Sequence, residues 1–367
     1  MERKAMLVER RRSPFPLELL VRVAIAWAFV ATVLIAANWA SISGPEALLS
    51  LTPLGCAMLL SARIAWRLMG EEEATLAALI PALTIPVLFE FSSSQIDHYE
   101  WQINLALVAV NALLSRRPTI GGWVIGATCA AWLVLSAEGL VFAGAIACIL
   151  ALRWVRNREA RAWLIGWAQG IAVFALILSL ALAVMQGTSL SWDSLGFGQI
   201  IAIAWVAVTV TLLGRFEPLP AGARLLGLGS AAAGAIGLAL MTVPHVSVPS
   251  VLPIWQASVS AMLQYCVAPL IGIFAATNLA NSSRDWLRRY WGDYALFLIA
   301  AFVFALIYTP AAAIACVLAA PPLAWQVREW LRRIRLVRPV GQRLVATLAL
   351  AWALLPALPV IVLTKLA

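Results

Sequence analysis

Apolar residues fall in long blocks of about 17 to 24 residues, separated by short polar or basic connectors. A block of that length is what an α-helix needs to cross the hydrocarbon of a bilayer at 1.5 Å per residue. Thirteen such spans are predicted. They are Val21 to Ala40, Glu46 to Met69, Ala74 to Phe91, Tyr99 to Ser115, Ile120 to Ser136, Gly139 to Trp154 and Trp163 to Met185, followed by Gly196 to Gly214, Gly222 to Val243, Ala257 to Leu279, Asp293 to Thr309, Pro310 to Val327 and Gln342 to Thr364. Two pairs have almost no connector, at Ala137-Glu138 and at Pro310, where a kinked or re-entrant segment is the alternative. The expected fold class is therefore all-α: a polytopic transmembrane helical bundle of about 12–13 spans.

The placement of charge orients this map. With a cytoplasmic N-terminus, every basic residue except Lys365 falls at or near the cytoplasmic ends of the spans. A wrong span count would scramble that alternation. The net charge of +9 is thus a topology signal and an attraction to anionic lipid, and no nucleic acid is expected as a partner. Two basic connectors that also carry Trp or Tyr, Ser283 to Trp291 and Val327 to Arg338, are expected to form short helices at the headgroups.

Composition agrees, with 63% hydrophobic and 12% charged residues among 367. A soluble chain cannot hide that much apolar surface. The expected organisation is a single integral membrane domain over residues 1–367. It has a basic cytoplasmic N-terminus over 1–20, with Val21 to Ala40 a retained first span, and the transmembrane bundle over 21–364. No connector exceeds about 20 residues, so chemistry is expected at the membrane surface or among the helices. The five cysteines, Cys56, Cys129, Cys148, Cys266 and Cys316, are scattered and odd in number, which argues against a disulfide framework or a zinc site. Gly227, Gly229, Gly234 and Gly237 share one span and are expected to let helices approach closely.

Candidate chemistry lies on the side opposite the arginines. The acids Glu46, Glu90, Asp97, Glu100, Glu138 and Asp193 and both histidines, His98 and His245, map there. Ionisable groups at membrane depth are costly and mark function by default. The densest polar stretch runs from Glu90 to Gln102. Asp97, His98 and Glu100 in it could bind a divalent cation or move a proton. Equally, Asp97 with Glu100 three residues on makes a capping box for the following span. Glu138, between two apolar runs, either lines a polar cavity or marks the outer end of a helix hairpin. His245, among prolines, reads as a loop residue. Glu71, Glu72 and Glu73 begin the third span on the cytoplasmic side, where they favour the helix dipole.

The stretch Ile96-Asp97-His98-Tyr99-Glu100-Trp101-Gln102 resembles an Ile-Asp-His-His-Asn-x-Gln motif. That motif belongs to a bacterial group of multi-pass proteins similar to the GT-C glycosyltransferases, the superfamily of oligosaccharyltransferase catalytic subunits. Ser136-Ala137-Glu138, Leu152-Arg153-Trp154 and Pro321-Pro322-Leu323-Ala324-Trp325 resemble further segments of that group. The resemblance implies a GT-C-like fold and an enzyme of glycosyltransferase type, if active. It would take a sugar from a polyprenyl-phosphate donor at the outer face of a bacterial inner membrane. The implied catalytic residues are Asp97, His98 and Glu138: Asp97 as base or metal ligand, His98 as phosphate or sugar contact, Glu138 as supporting carboxylate. Glu100, Gln102 and Glu46 would bind substrate. Mg²⁺ or Mn²⁺ is the implied cofactor, with membrane lipids and a lipid-linked sugar as partners. In such enzymes a long first external loop carries a carboxylate; here it is Ser41-Ile42-Ser43-Gly44-Pro45, followed by Glu46. Tyr99 and Glu100 stand where the group has its second His and its Asn. Two other functions stay open: a catalytically degenerate scaffold or partner subunit, and a transporter of lipid or small solute.

Overall fold

The structure, a computed structural model, describes residues 15–37, 46–91, 98–186, 197–216, 218–242 and 253–354. Among them are fourteen α-helices and no strand. In chain order they are α1 (Leu17–Ala37), α2 (Glu46–Leu68), α3 (Glu71–Leu83), α4 (Ile85–Phe91), α5 (His98–Ala112), α6 (Pro118–Leu135) and α7 (Gly139–Arg156), then α8 (Arg161–Gln186), α9 (Phe197–Arg215), α10 (Ala221–Thr242), α11 (Val259–Ser282), α12 (Asp285–Ile307), α13 (Ala311–Leu336) and α14 (Val340–Leu354). Each of the thirteen apolar runs corresponds to one of these helices, the third to two. Eight helices among the described residues are long and apolar enough to cross a membrane, nine if the bent pair α3–α4 counts as one span. Large apolar side chains such as Phe174, Ile177, Leu180 and Val184 on α8 point outward, as helices solvated by lipid require.

Two boundaries differ from expectation. The segments Ser283 to Trp291 and Val327 to Arg338 are not separate interfacial helices. Their residues continue α12 back to Asp285 and α13 out to Leu336. Neither contains a proline, so nothing interrupts the backbone ladder between apolar span and basic end.

The chain divides into two compact units, residues 1–107 with 251–367, and residues 108–250. In the first, α13 is the central helix. Every residue from Ala311 to Ala324 is buried, and α2, α3, α4, α11, α12 and α14 all pack on it. Its alanines make this possible by letting neighbours come close: a Cβ on Gly272 of α11 would lie 2.5 Å from the Ala319 Cβ. Pro321 and Pro322 remain helical inside α13. Pro322 has no N–H for the Leu318 carbonyl, which would otherwise be orphaned in an apolar core. The buried Tyr294 hydroxyl of α12 donates to that carbonyl at 2.6 Å.

The break between α3 and α4 has the same origin. Pro86 removes the donor for the Ala82 carbonyl, and the pair bends by 66°. Thr84, extended at the break, ties it off. Its N–H donates to Pro81 O, its hydroxyl to Ile80 O at 2.7 Å, and its carbonyl accepts from Val87 and Leu88.

In the second unit the tightest contact is α6 on α8. Gly122 and Gly126 of α6 face Gly166 and Gly170 of α8, two four-residue glycine spacings pressed backbone to backbone. Gly227 and Gly234 of α10 receive Leu213 and Trp205 of α9, as expected of small residues, whereas a Cβ on Gly229 or Gly237 would meet nothing within 4 Å. Arginines close two helix ends here. Arg161 at the start of α8 donates to Gly214 O in the last turn of α9 at 2.9 Å, and Arg224 of α10 donates to Trp154 O near the end of α7. Carbonyls of a final helical turn lack intrahelical donors, and a cation there also meets the negative end of the helix dipole.

Candidate functional site

Helix α5 supplies most of the polar groups. Glu100, Asn104 and Asn111 recur along its core-facing side, and Gln102 is buried beside them. Glu100 is 0% exposed, the most deeply buried of the sequence-predicted site residues whose side chains are described. A carboxylate in that setting costs several kcal/mol unless hydrogen-bonded, roughly the scale that marks function in a membrane protein. Asn104 fixes the helix in place: its amide donates to Pro53 O of α2 at 3.0 Å and to the Glu100 carbonyl at 3.1 Å.

Tyr99, at the start of α5, meets Tyr308 hydroxyl to hydroxyl at 2.5 Å. Tyr308 caps the end of α12, its N–H bonded to Phe304 O and its ring stacked on Phe304. Glu90, half-buried in the last turn of α4, lies within electrostatic reach of Tyr265 on α11, a helix that α4 touches. Tyr99, Glu100 and Tyr308 thus gather at the end of the first unit where α13 begins. Tyr265 and Tyr308 carry no signal in their own stretches of sequence; only the packing of α4, α5, α11 and α12 identifies them.

The other end of α13 is ionic. Arg328 donates from Nε to Glu72 at 2.6 Å and from its terminal nitrogen to the buried Glu73. Arg328 lies about 26 Å along α13 from Ala311 at 1.5 Å per residue, close to the depth of a hydrocarbon core. The glutamates at the start of α3 therefore do more than favour the dipole: they join α3 to α13. Local sequence could not pair residues more than 250 positions apart.

The remaining expected residues are placed as follows. Asp97, Asp193 and His245 lie outside the described residues. His98 opens α5 and Glu46 opens α2. Glu138 belongs to the second unit, in the short turn between α6 and α7. That turn is tight. Gly139 presses on the Trp132 carbonyl, and Trp132 stacks on Phe142 with ring centroids 4.5 Å apart. All five cysteines are free thiols. No three His, Cys, Asp or Glu side chains among the described residues come together as a metal ion requires. The described residues alone therefore do not form the Mg²⁺ or Mn²⁺ site that the resemblance implies.

Neither a family model nor a curated protein matches the chain. Solved structures do. The archaeal oligosaccharyltransferase AglB of Archaeoglobus fulgidus, in complex with an inhibitory peptide and a dolichol-phosphate, aligns with a TM-score of 0.60 at 15% identity. The alignment covers 90% of this chain and 47% of that one. The Archaeoglobus fulgidus oligosaccharyltransferase tethered to an acceptor peptide containing the NVT sequon aligns at 0.59 and 14% identity, over 90% and 45% of the two chains. The chain thus spans about half the length of the structures it matches. At such identity the likeness concerns architecture: the chain is a multi-pass membrane protein whose helical bundle has the GT-C-like fold of an oligosaccharyltransferase.

Proposed function

We propose that the chain is a GT-C-like membrane glycosyltransferase that moves a sugar from a polyprenyl-phosphate donor to an acceptor at the outer face of a bacterial inner membrane. The likeness of 90% of the chain to an oligosaccharyltransferase fold carries this reading. One of the matched structures holds a dolichol-phosphate, a lipid of the proposed donor class.

In the proposed reaction the bond from the anomeric carbon to the donor's phosphate oxygen breaks and a bond to the acceptor nucleophile forms. The acceptor's proton passes to the Asp97 carboxylate, and the phosphate leaves on its lipid. His98 contacts the phosphate or the sugar. Glu100 and Gln102 lie buried on α5, the helix that His98 opens. Tyr99 and Tyr308 tie the start of α5 to the end of α12.

A photoreactive polyprenyl phosphate, activated on the protein in lipid nanodiscs, tests where the donor sits. Labelled peptides from the ends of α4, α5 and α12 are expected, with labelling suppressed by excess unmodified polyprenyl phosphate. Labelling spread over lipid-facing α8 and α9, without competition, would contradict the proposal.

The scaffold reading is supported by one observation. Only residues 38–45 lie between α1 and α2, where the enzymes of the resemblance carry a long carboxylate-bearing loop. It predicts a stable membrane partner and no sugar transfer.

A further inference from the structure

Helix α3 is held at its two ends by different means. At its start, Arg328 of α13 donates from Nε to Glu72 at 2.6 Å and from its terminal nitrogen to Glu73. At its far end the backbone ladder is interrupted twice, because Pro81 and Pro86 supply no N–H to the Ala77 and Ala82 carbonyls. Hydrogen bonds cross the break through Thr84. Its hydroxyl donates to Ile80 O, and its carbonyl accepts from the N–H groups of Val87 and Leu88. Between the two ends α3 is a rod of 13 residues, about 20 Å long.

The ion pair is incompletely satisfied. Glu73 is 3% exposed, and its Oε2 is buried without a hydrogen-bond partner among the described residues. Neighbouring charges are engaged elsewhere or have the wrong sign. Glu71 and Glu72 are acids, Glu329 pairs with Arg333, Arg332 is exposed, and Arg67 at the end of α2 lies over Trp66. Opening the pair would hydrate the dry oxygen and give up the attraction, two large terms of opposite sign. The buried face of α3 is also small, Ala74, Ala77, Ala78 and Ala82, and α3 packs on the alanine-rich α13. Small residues interlock little, so α3 can shift along α13 without repacking large side chains there.

We propose that α3 is a lever, hinged at Thr84 and latched by Arg328, that couples the arginine-rich end of the first unit to Glu90 in the last turn of α4. When the latch opens, α3 swings, Thr84 moves with it, and the bonds from Val87 and Leu88 carry the start of α4 along. Helix α4 is only seven residues long, so a displacement at its start reaches Glu90 and, beyond it, Tyr265. The lever is a property of the fold and does not rest on the proposed glycosyl transfer.

The test is hydrogen–deuterium exchange of the full chain in nanodiscs, with no donor present. The triple variant Glu72→Gln, Glu73→Gln, Arg328→Gln opens the latch and strands no charge. Exchange is expected to rise about 10-fold in α3 and by a similar factor in α4, and to stay unchanged in α12 and in the second unit. Glu72→Gln alone removes the exposed half of the latch and leaves Arg328 on Glu73, so it keeps the fold should the triple variant lose it. It should give the same pattern at about 2- to 5-fold. Faster exchange confined to the first turn of α3 would overturn the proposal, since Arg328 would then be a local clasp. So would unchanged exchange in both variants, or a rise spread evenly over the chain, which would reduce the ion pair to a contribution to global stability.

Discussion

Replacing Gly126 by alanine tests how the second unit is held together. A Cβ there would lie 2.4 Å from the Trp167 carbonyl oxygen and 2.6 Å from the Ile171 nitrogen, both backbone atoms of α8. Ordinary contact begins near 3.4 Å, so α6 and α8 must separate by about 1 Å. A gap of that size forfeits about a quarter to a half of each dispersion contact along the crossing, and overpacking costs about 1–3 kcal/mol. Inside a bilayer lipid tails are as apolar as side chains, so close packing carries the association. The expected loss is about 2 kcal/mol, or about 4–8 °C in melting temperature. Gly122→Ala should behave alike, its Cβ falling 2.4 Å from the Trp163 carbonyl oxygen. Gly144→Ala and Gly229→Ala, with nothing within 4 Å, are the controls and should be neutral. Melting of the purified variants in one detergent reads the difference. A Gly126→Ala protein that melts with the Gly229→Ala control would refute the reasoning.

Three further outcomes follow from single contacts. Tyr294→Phe leaves the Leu318 carbonyl without its donor and should cost about 1–3 kcal/mol; in a Pro322→Ala background, where a backbone N–H returns, the same change should cost much less, a coupling that unfolding of all four proteins measures. Arg328→Gln strands the buried Glu73 carboxylate and should destabilise by ~3 kcal/mol, with Glu73→Gln added to it restoring part of the loss in the same melting assay. Asn104→Leu frees the Pro53 carbonyl and loosens α5 against α2, so hydrogen exchange at Tyr99 to Gln102 should accelerate.

The helices were legible in the sequence because a bilayer imposes one rule, apolar length, which eight of the described helices meet outright. What was not legible depends on distant partners. The glycines of α10 stand out by density, yet only Gly227 and Gly234 are packed, while Gly122, Gly126, Gly166 and Gly170 make the tightest contact. Their four-residue spacings are visible, but which helix answers which is not. Basic ends next to Trp and Tyr suit interfacial helices, yet in α12 and α13 the ladder simply continues, since adding a residue to a formed helix costs less than starting a new one. At the candidate site, the meeting of Tyr99 with Tyr308 joins residues 209 positions apart. The acidic start of α3 gave a dipole reading that was sound and incomplete, because its partner Arg328 lies on another helix.

The most direct test of the central claim is sugar transfer. Purified protein in nanodiscs would be given a panel of polyprenyl-phosphate sugars with an acceptor mixture, with Mg²⁺ or Mn²⁺ or with chelator, beside Asp97→Asn and Glu100→Gln. The account predicts release of polyprenyl phosphate coupled to a glycosylated product, lost in Asp97→Asn and strongly reduced in Glu100→Gln. No transfer from any donor by a folded wild-type protein, or transfer unchanged in Asp97→Asn, would contradict it.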